Sequence, residues 1–282
     1  MMRFSTLGAA AILIAAATPA AAQDSDPATR LPDPATAPPP ALTVTGSATL
    51  ISDYRFRGLT QTDGKPAIQG TVNVNHSSGF YVGTFVSTID GGPDGSTPAL
   101  TGYGEAEVDL YGGFTKTLSN GVGIDVGLLY YLYPIDKTSG LNTDFFEPYA
   151  AVTYTIGPVA TKLGAAYAWG GQDGLAGFDP RGGNDDNLYA YGEASVAIPT
   201  TPVTLKGHLG YSEGSLGGFN GTLDNNYLDW SVTAEAVGGP LKVGVSYVDT
   251  DISERRTAAF PKGYARSLGR GATVLAYVGF AF

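Results

Sequence analysis

The sequence predicts an all-β fold, an antiparallel transmembrane β-barrel of about twelve strands. Three observations carry that reading. Runs of roughly ten residues alternate apolar with polar or small side chains. Tight turns and longer polar loops alternate between the runs. Mid-strand charges keep to the polar parity and stay off the apolar one.

In chain order the strands are expected at 43–57, 67–76, 80–89, 104–117, 122–133, 145–156, 159–169, 188–198, 203–213, 227–237, 241–250 and 271–282. Turn signals rich in Gly, Ser, Asn and Pro close 77–79, 118–121, 157–158, 199–202 and 238–240. Longer connections occupy 58–66, 90–103, 134–144, 170–187, 214–226 and 251–270. Short turns at one end, long loops at the other and an even strand number are the layout of an outer-membrane barrel. Both termini then fall at the short-turn end, the expected periplasmic side.

The sign of the alternation separates this reading from a soluble barrel. Glu105, Glu107 and Asp109 oppose Ala106, Val108, Leu110 and Phe114. Lys206 and His208 oppose Val203, Leu205, Leu209 and Tyr211, while Asp229, Ser231, Thr233 and Glu235 oppose Leu228, Trp230, Val232 and Ala234. A soluble barrel packs its interior with large apolar side chains. Here the polar parity carries the charges, as a wet or salt-bridged interior would. A charge on the lipid face at mid-membrane costs about 2–4 kcal/mol, which accounts for its absence there. Tyr54, Phe56, Phe80, Trp169 and Tyr211 lie near strand ends and are expected in interfacial girdles.

The N-terminal residues read as an export signal. Arg3 is followed by an apolar run at 7–17, too short to span a bilayer, and by the small-residue cleavage site Ala20-Ala21-Ala22. The expected division is a signal peptide at 1–22, a disordered Pro/Ala-rich linker at 23–41 and the barrel at 42–282. The exported chain has no cysteine and so no disulfide framework. Loss of Arg3 leaves 15 basic against 26 acidic side chains, a balance that argues against nucleic acid as a partner. In the last strand Val274, Ala276, Val278, Phe280 and Phe282 share one face. This terminal aromatic pattern resembles the signal read by the barrel-assembly machinery.

The segment Ser52-Asp53-Tyr54-Arg55-Phe56-Arg57-Gly58, with Pro66-Ala67-Ile68-Gln69-Gly70 and His76-Ser77-Ser78-Gly79-Phe80-Tyr81-Val82-Gly83-Thr84, resembles the TorF family of porins. Departures are mild: Leu59-Thr60-Gln61-Thr62 stands where an Ile-Ser-Gln-Ser type of run is expected, and Phe85 where Trp is common. The resemblance implies a barrel and a pore. It implies no catalytic or ligand residues and no solute.

Charges expected to line the lumen are Asp53, Arg55 and Arg57 on the first strand, then Glu105, Glu107 and Asp109 on the fourth. Further along come Asp125, Glu147, Lys162, Glu193, Lys206, Asp229, Glu235 and Lys242, with His208 as a polar wall residue. Two readings stay open: a permeation path whose charges select ions or small hydrophilic solutes, or a salt-bridge network that plugs a narrow barrel. If the lumen is open, the acidic surplus predicts a weak preference for cations.

Catalysis is the less favoured reading. The chain has two histidines. His76 sits beside Ser77 and Ser78 in a short turn, and Ser212 is more than about ten ångströms along the strand from His208. Loop 170–187, with Asp173, Asp179, Asn184, Asp185 and Asp186, lacks calcium-loop spacing, and no metal or cofactor is expected. Arg255, Arg256, Lys262, Arg266 and Arg270 could meet lipopolysaccharide phosphates, although a solvated loop is the simpler reading. The expected function is passive diffusion of small hydrophilic solutes or ions. The alternatives are a non-conducting structural or adhesive barrel and, third, an outer-membrane hydrolase.

Overall fold

The computed structural model describes residues 40–91, 100, 102–134, 143–175, 183–220, 225–254 and 269–282. The expected signal peptide, most of the linker, Asp179, Arg255, Arg256, Lys262 and Arg266 lie outside the described residues. Twelve strands close into one antiparallel barrel. In chain order the wall is β1 (Leu42–Ile51), β4 (Ala67–His76), β5 (Phe80–Gly91), β6 (Gly104–Thr117), β7 (Gly123–Leu132), β8 (Phe145–Ile156), β9 (Val159–Ala168), β10 (Asn187–Ala197), β11 (Val203–Gly214), β12 (Asn226–Gly238), β13 (Leu241–Thr250) and β14 (Thr273–Ala281). Each pairs with its neighbour in sequence, and β1 pairs with β14 to close the ring. Between β1 and β4 lies a two-stranded hairpin, β2 (Arg55–Phe56) and β3 (Leu59–Thr60), that is not part of the wall.

Period-2 alternation sets the two faces of the wall. Leu50, Ile68, Val126, Leu163, Leu209 and Val232 are exposed on the outside, in an apolar belt far larger than the patches soluble monomers display. Closed pairing leaves no unsatisfied edge within that belt, as a hydrocarbon environment demands. The closing seam is fixed at its end by reciprocal backbone bonds, Gly46 N to Phe282 O at 2.9 Å and Phe282 N to Gly46 O at 3.0 Å. The Phe282 ring lies over Gly46, where a Cβ would stand 2.5 Å from it.

A related device recurs inside the wall. Tyr149, Tyr191 and Tyr277 sit directly opposite Gly127, Gly164 and Gly244 on the neighbouring strand. Each ring covers its glycine so closely that a Cβ there would lie 2.3–2.5 Å from it. The aromatic ring shields backbone that the missing side chain leaves bare, as in aromatic rescue of sheet glycines. Gly164→Val is therefore expected to displace the Tyr191 ring and to destabilise by about 1–3 kcal/mol. Denaturant unfolding in detergent checks it, together with the double variant Gly164→Val/Tyr191→Ala. The double variant should lose less than the sum of the two single changes.

Two sequence expectations are corrected here. The first strand ends at Ile51 rather than at residue 57, and of connection 58–66 the first part, 58–62, is buried while 63–66 stays exposed. The chain instead turns into the barrel, because the Asp53 carboxylate accepts from the hydroxyls of Thr60 (2.6 Å) and Thr62 (3.2 Å) and so folds the segment back on itself. Tyr54 and Phe56 consequently belong to the interior core and not to an interfacial girdle. Phe80 and Trp169 are exposed at strand ends.

A constricted barrel interior as the candidate functional site

The β2–β3 hairpin turns at Arg57-Gly58, both with positive φ (48° and 81°). Two consecutive positive-φ residues make the type I′ turn that matches strand twist. Glycine is required at the second position: a Cβ on Gly58 would stand 2.6 Å from Thr250 Cγ2 and 2.9 Å from Asp229 Cβ. The hairpin tip thus reaches across the barrel to β12 and β13.

Side chains from several walls hold the tip. Arg57 Nη2 donates to both carboxylate oxygens of Glu147 on β8 at 2.7 Å, with the two side chains 5% and 2% exposed. Its guanidinium also lies over the rings of Phe56 and Tyr189, 4.7 and 4.1 Å from their centroids. From β12 the Tyr227 hydroxyl donates to the Arg57 carbonyl at 3.0 Å. Tyr54 donates to Glu107 on β6 at 3.2 Å, and Tyr131 to Glu147 at 3.0 Å. Arg55 pairs with Asp53 at 2.5 Å and donates to the carbonyls of Gly58 and Gly269. A paired, hydrogen-bonded ion pair of this kind survives burial where a lone charge would not.

Around these contacts the loop end of the barrel is filled by a buried cluster that includes Tyr54, Leu59, Leu100, Tyr103, Tyr131, Tyr133, Phe145, Leu175, Leu216, Tyr227 and Ile252. Tyr131 stacks on Phe145 at 4.4 Å, and Tyr103 meets Tyr133 edge-on at 4.9 Å. The turn end differs. There the inward side chains are Lys162, Glu193, Lys206, Glu235, Lys242 and Asp125, with tyrosines between them. Lys206 is 43% exposed although it pairs with Glu235 at 2.6 Å. Tyr277 also donates to Glu235, Tyr81 to Asp125, and Lys162 lies over the Tyr191 ring.

The predicted residues therefore divide. Asp53, Arg55 and Arg57 sit on the inward hairpin segment rather than on the first strand. Their alternation imitates a strand, and only contacts far along the chain reveal the hairpin. Glu107, Asp109, Glu147 and Asp229 are buried at the constricted end, whereas Lys162, Glu193, Lys206, Glu235 and Lys242 face the turn-end half partly or fully exposed, with Asp125 buried there. Glu105, given the same parity as Glu107, is instead exposed close to the register irregularity between β5 and β6. His208 bonds Tyr189 Oη (2.8 Å) and Asp229 (3.1 Å) and approaches Glu193 (3.5 Å), while Ser212 bonds Asn187. His76 bonds Ser78 twice within an exposed turn. Of the four tyrosines that hold the constriction, the sequence reading assigned Tyr54 to an interfacial girdle and did not single out Tyr131, Tyr189 or Tyr227. Three of them share the parity of Asp125, Glu193 and Asp229 on their own strands, which is the signal that could have found them.

A family model described as a bacterial protein of unknown function (Gcw_chp) matches residues 35–277. No curated protein matches the sequence. Among solved structures the fold is similar to the NanC porin, at 9% identity over 84% of this chain and 98% of that one, with a TM-score of 0.52. It is also similar to the KdgM porin in complex with disordered oligogalacturonate, at 8% identity over 85% and 99% of the two chains and a TM-score of 0.51. At such identities the likeness is one of fold.

Proposed function

This chain belongs to the Gcw_chp family of bacterial proteins of unknown function, and we propose that it is an outer-membrane channel passing small hydrophilic solutes or ions around an inward-folded constriction. One observation carries the reading. The constriction is a hairpin held by side-chain contacts inside a closed wall, and toward the turn end the inward charged side chains remain partly exposed. An interior built only for rigidity would have no use for half-exposed lysines and glutamates facing inward. The porin fold of the neighbours and the TorF resemblance support it. Export through the signal at 1–22, periplasmic termini, assembly through the strand ending at Phe282 and lipopolysaccharide around the loops belong to the same proposal.

The buried cluster at the loop end favours a second reading, a non-conducting barrel with a structural or adhesive role. Reconstitution in planar bilayers separates the two. Reproducible single-channel steps are expected, and silence from well-folded protein would sink the channel. A weak preference for cations is expected as well. Asp53, Glu107, Asp109, Glu147 and Asp229 outnumber Arg55, Arg57 and Arg270 at the constricted end, whereas Asp125, Glu193 and Glu235 match Lys162, Lys206 and Lys242 below. Reversal potentials in a salt gradient check the sign, and anion-carried current would refute it.

A further inference from the structure

Directly beneath the hairpin lies a cavity of about 380 Å³, bordered by Arg57, Tyr189, His208, Asp229, Ser231 and Gln69 and by the apolar surfaces of Phe85, Val248 and Leu275. Its volume falls within the roughly 300–1,000 Å³ range of small-molecule sites, and a mostly apolar wall with a few convergent polar groups is their usual make-up.

The cationic groups around it are already paired with carboxylates, although Arg57 Nη1 is buried without a hydrogen-bond partner among the described residues. Arg57 is held by Glu147, Arg55 by Asp53, and His208 lies between Asp229 and Glu193. An anion entering the cavity would find no cation without a carboxylate of its own, would face the surplus of carboxylates at this end, and would lose its hydration. Hydrogen-bonding capacity is nevertheless plentiful. Among the described residues the Asp229 carboxylate receives the Tyr189 hydroxyl and His208, and a carboxylate offers about four acceptor positions. Ser231 and Gln69 add groups that both donate and accept. The nearby rings are close to parallel. Tyr189, Tyr191 and His208 have centroids 5.6–6.4 Å apart and planes within 28° of one another, an aromatic group shared by β10 and β11.

We infer that this cavity is a binding site for an uncharged, polyhydroxylated solute of carbohydrate type. Its hydroxyls donate to Asp229 and exchange hydrogen bonds with Ser231 and Gln69, while its C–H face lies against the apolar and aromatic wall. The inference rests on the channel reading only in naming what would pause beneath the constriction.

The test is calorimetric titration of the detergent-solubilised protein with maltose, sorbitol, gluconate and inorganic phosphate. Maltose should bind, sorbitol more weakly, and the two anions not measurably. Asp229→Asn and Ser231→Ala should each weaken maltose by about tenfold, the cost of one hydrogen bond to a charged or well-placed group. The heat-modifiable gel mobility of a folded barrel shows whether each variant has assembled, and Ser231→Ala serves if Asp229→Asn has not. No binding of maltose, binding of gluconate or phosphate as tight as maltose, or unaltered maltose binding in an assembled variant would each overturn the site. Conductance in potassium chloride is recorded in parallel. Current without maltose binding leaves the channel and removes the site, and binding without current does the reverse.

Discussion

Replacing Arg57 by alanine is expected to raise single-channel conductance and to lower stability in the same protein. The guanidinium joins the hairpin tip to β8 through two 2.7 Å bonds from one nitrogen to Glu147, and both partners are almost fully buried. Alanine leaves the Glu147 carboxylate in place with Tyr131 as its remaining side-chain donor among the described residues. Breaking one side of a buried pair costs about 3–5 kcal/mol because the other charge stays unanswered. The loss also empties the space between Phe56 and Tyr189, whose rings flank the guanidinium. The hairpin keeps the Tyr227 bond to the Arg57 carbonyl and the local bonds of Asp53, so it loosens without losing its fold. Arg57→Lys should fall between, since an ammonium is a point charge and lacks the planar fork. Unfolding in detergent reads the stability, and planar-bilayer recordings read the conductance. Lower stability with unaltered current would place the hairpin off the permeation path. Silence from both wild type and Arg57→Ala would favour the non-conducting barrel.

How far the sequence carried this picture follows from the range of the forces involved. A period-2 pattern is local, so the wall strands were legible, usually to within one or two residues at each end. The interior parity of Glu107, Asp109, Glu147, Lys206 and Asp229 came with them. The hairpin was not legible, because Asp53, Arg55 and Arg57 alternate as a wall strand would. What draws them inward is Glu147, ninety residues away, and Tyr227, separated from Arg57 by 170. No window along the chain contains those contacts. A local hint was present in Phe56-Arg57-Gly58-Leu59, a two-residue turn between large apolar residues, but the strand-like charges masked it. The tyrosines were missed for another reason. Read by composition they suit an interfacial girdle, whereas Tyr54, Tyr131 and Tyr189 supply hydroxyl donors that let carboxylates be buried, and Tyr227 holds the hairpin through the Arg57 carbonyl.

Introducing arginine at Val232 is expected to be the most damaging single change on the outer wall. Val232 is 60% exposed near the middle of β12 and pairs with Gly207 and Tyr247 on the flanking strands. If that surface meets water, an arginine there is close to neutral, since exposed substitutions usually stay within about 0.5 kcal/mol. If it meets hydrocarbon near the bilayer midplane, the cost is about 2–4 kcal/mol. The next residue gives the control. Thr233 turns inward, bonds Ser246 at 2.6 Å and shares its face with Glu235, so Thr233→Arg places the same charge in the polar interior beside a carboxylate. The backbone position, helix and strand propensities and added volume are nearly the same for both, and only the medium differs. Folding into lipid vesicles, followed by gel mobility and reversible unfolding, should show Val232→Arg destabilised and Thr233→Arg much less affected. Equal effects at the two positions would mean that the apolar belt does not face lipid, and the membrane reading of the whole alternation would fall with it.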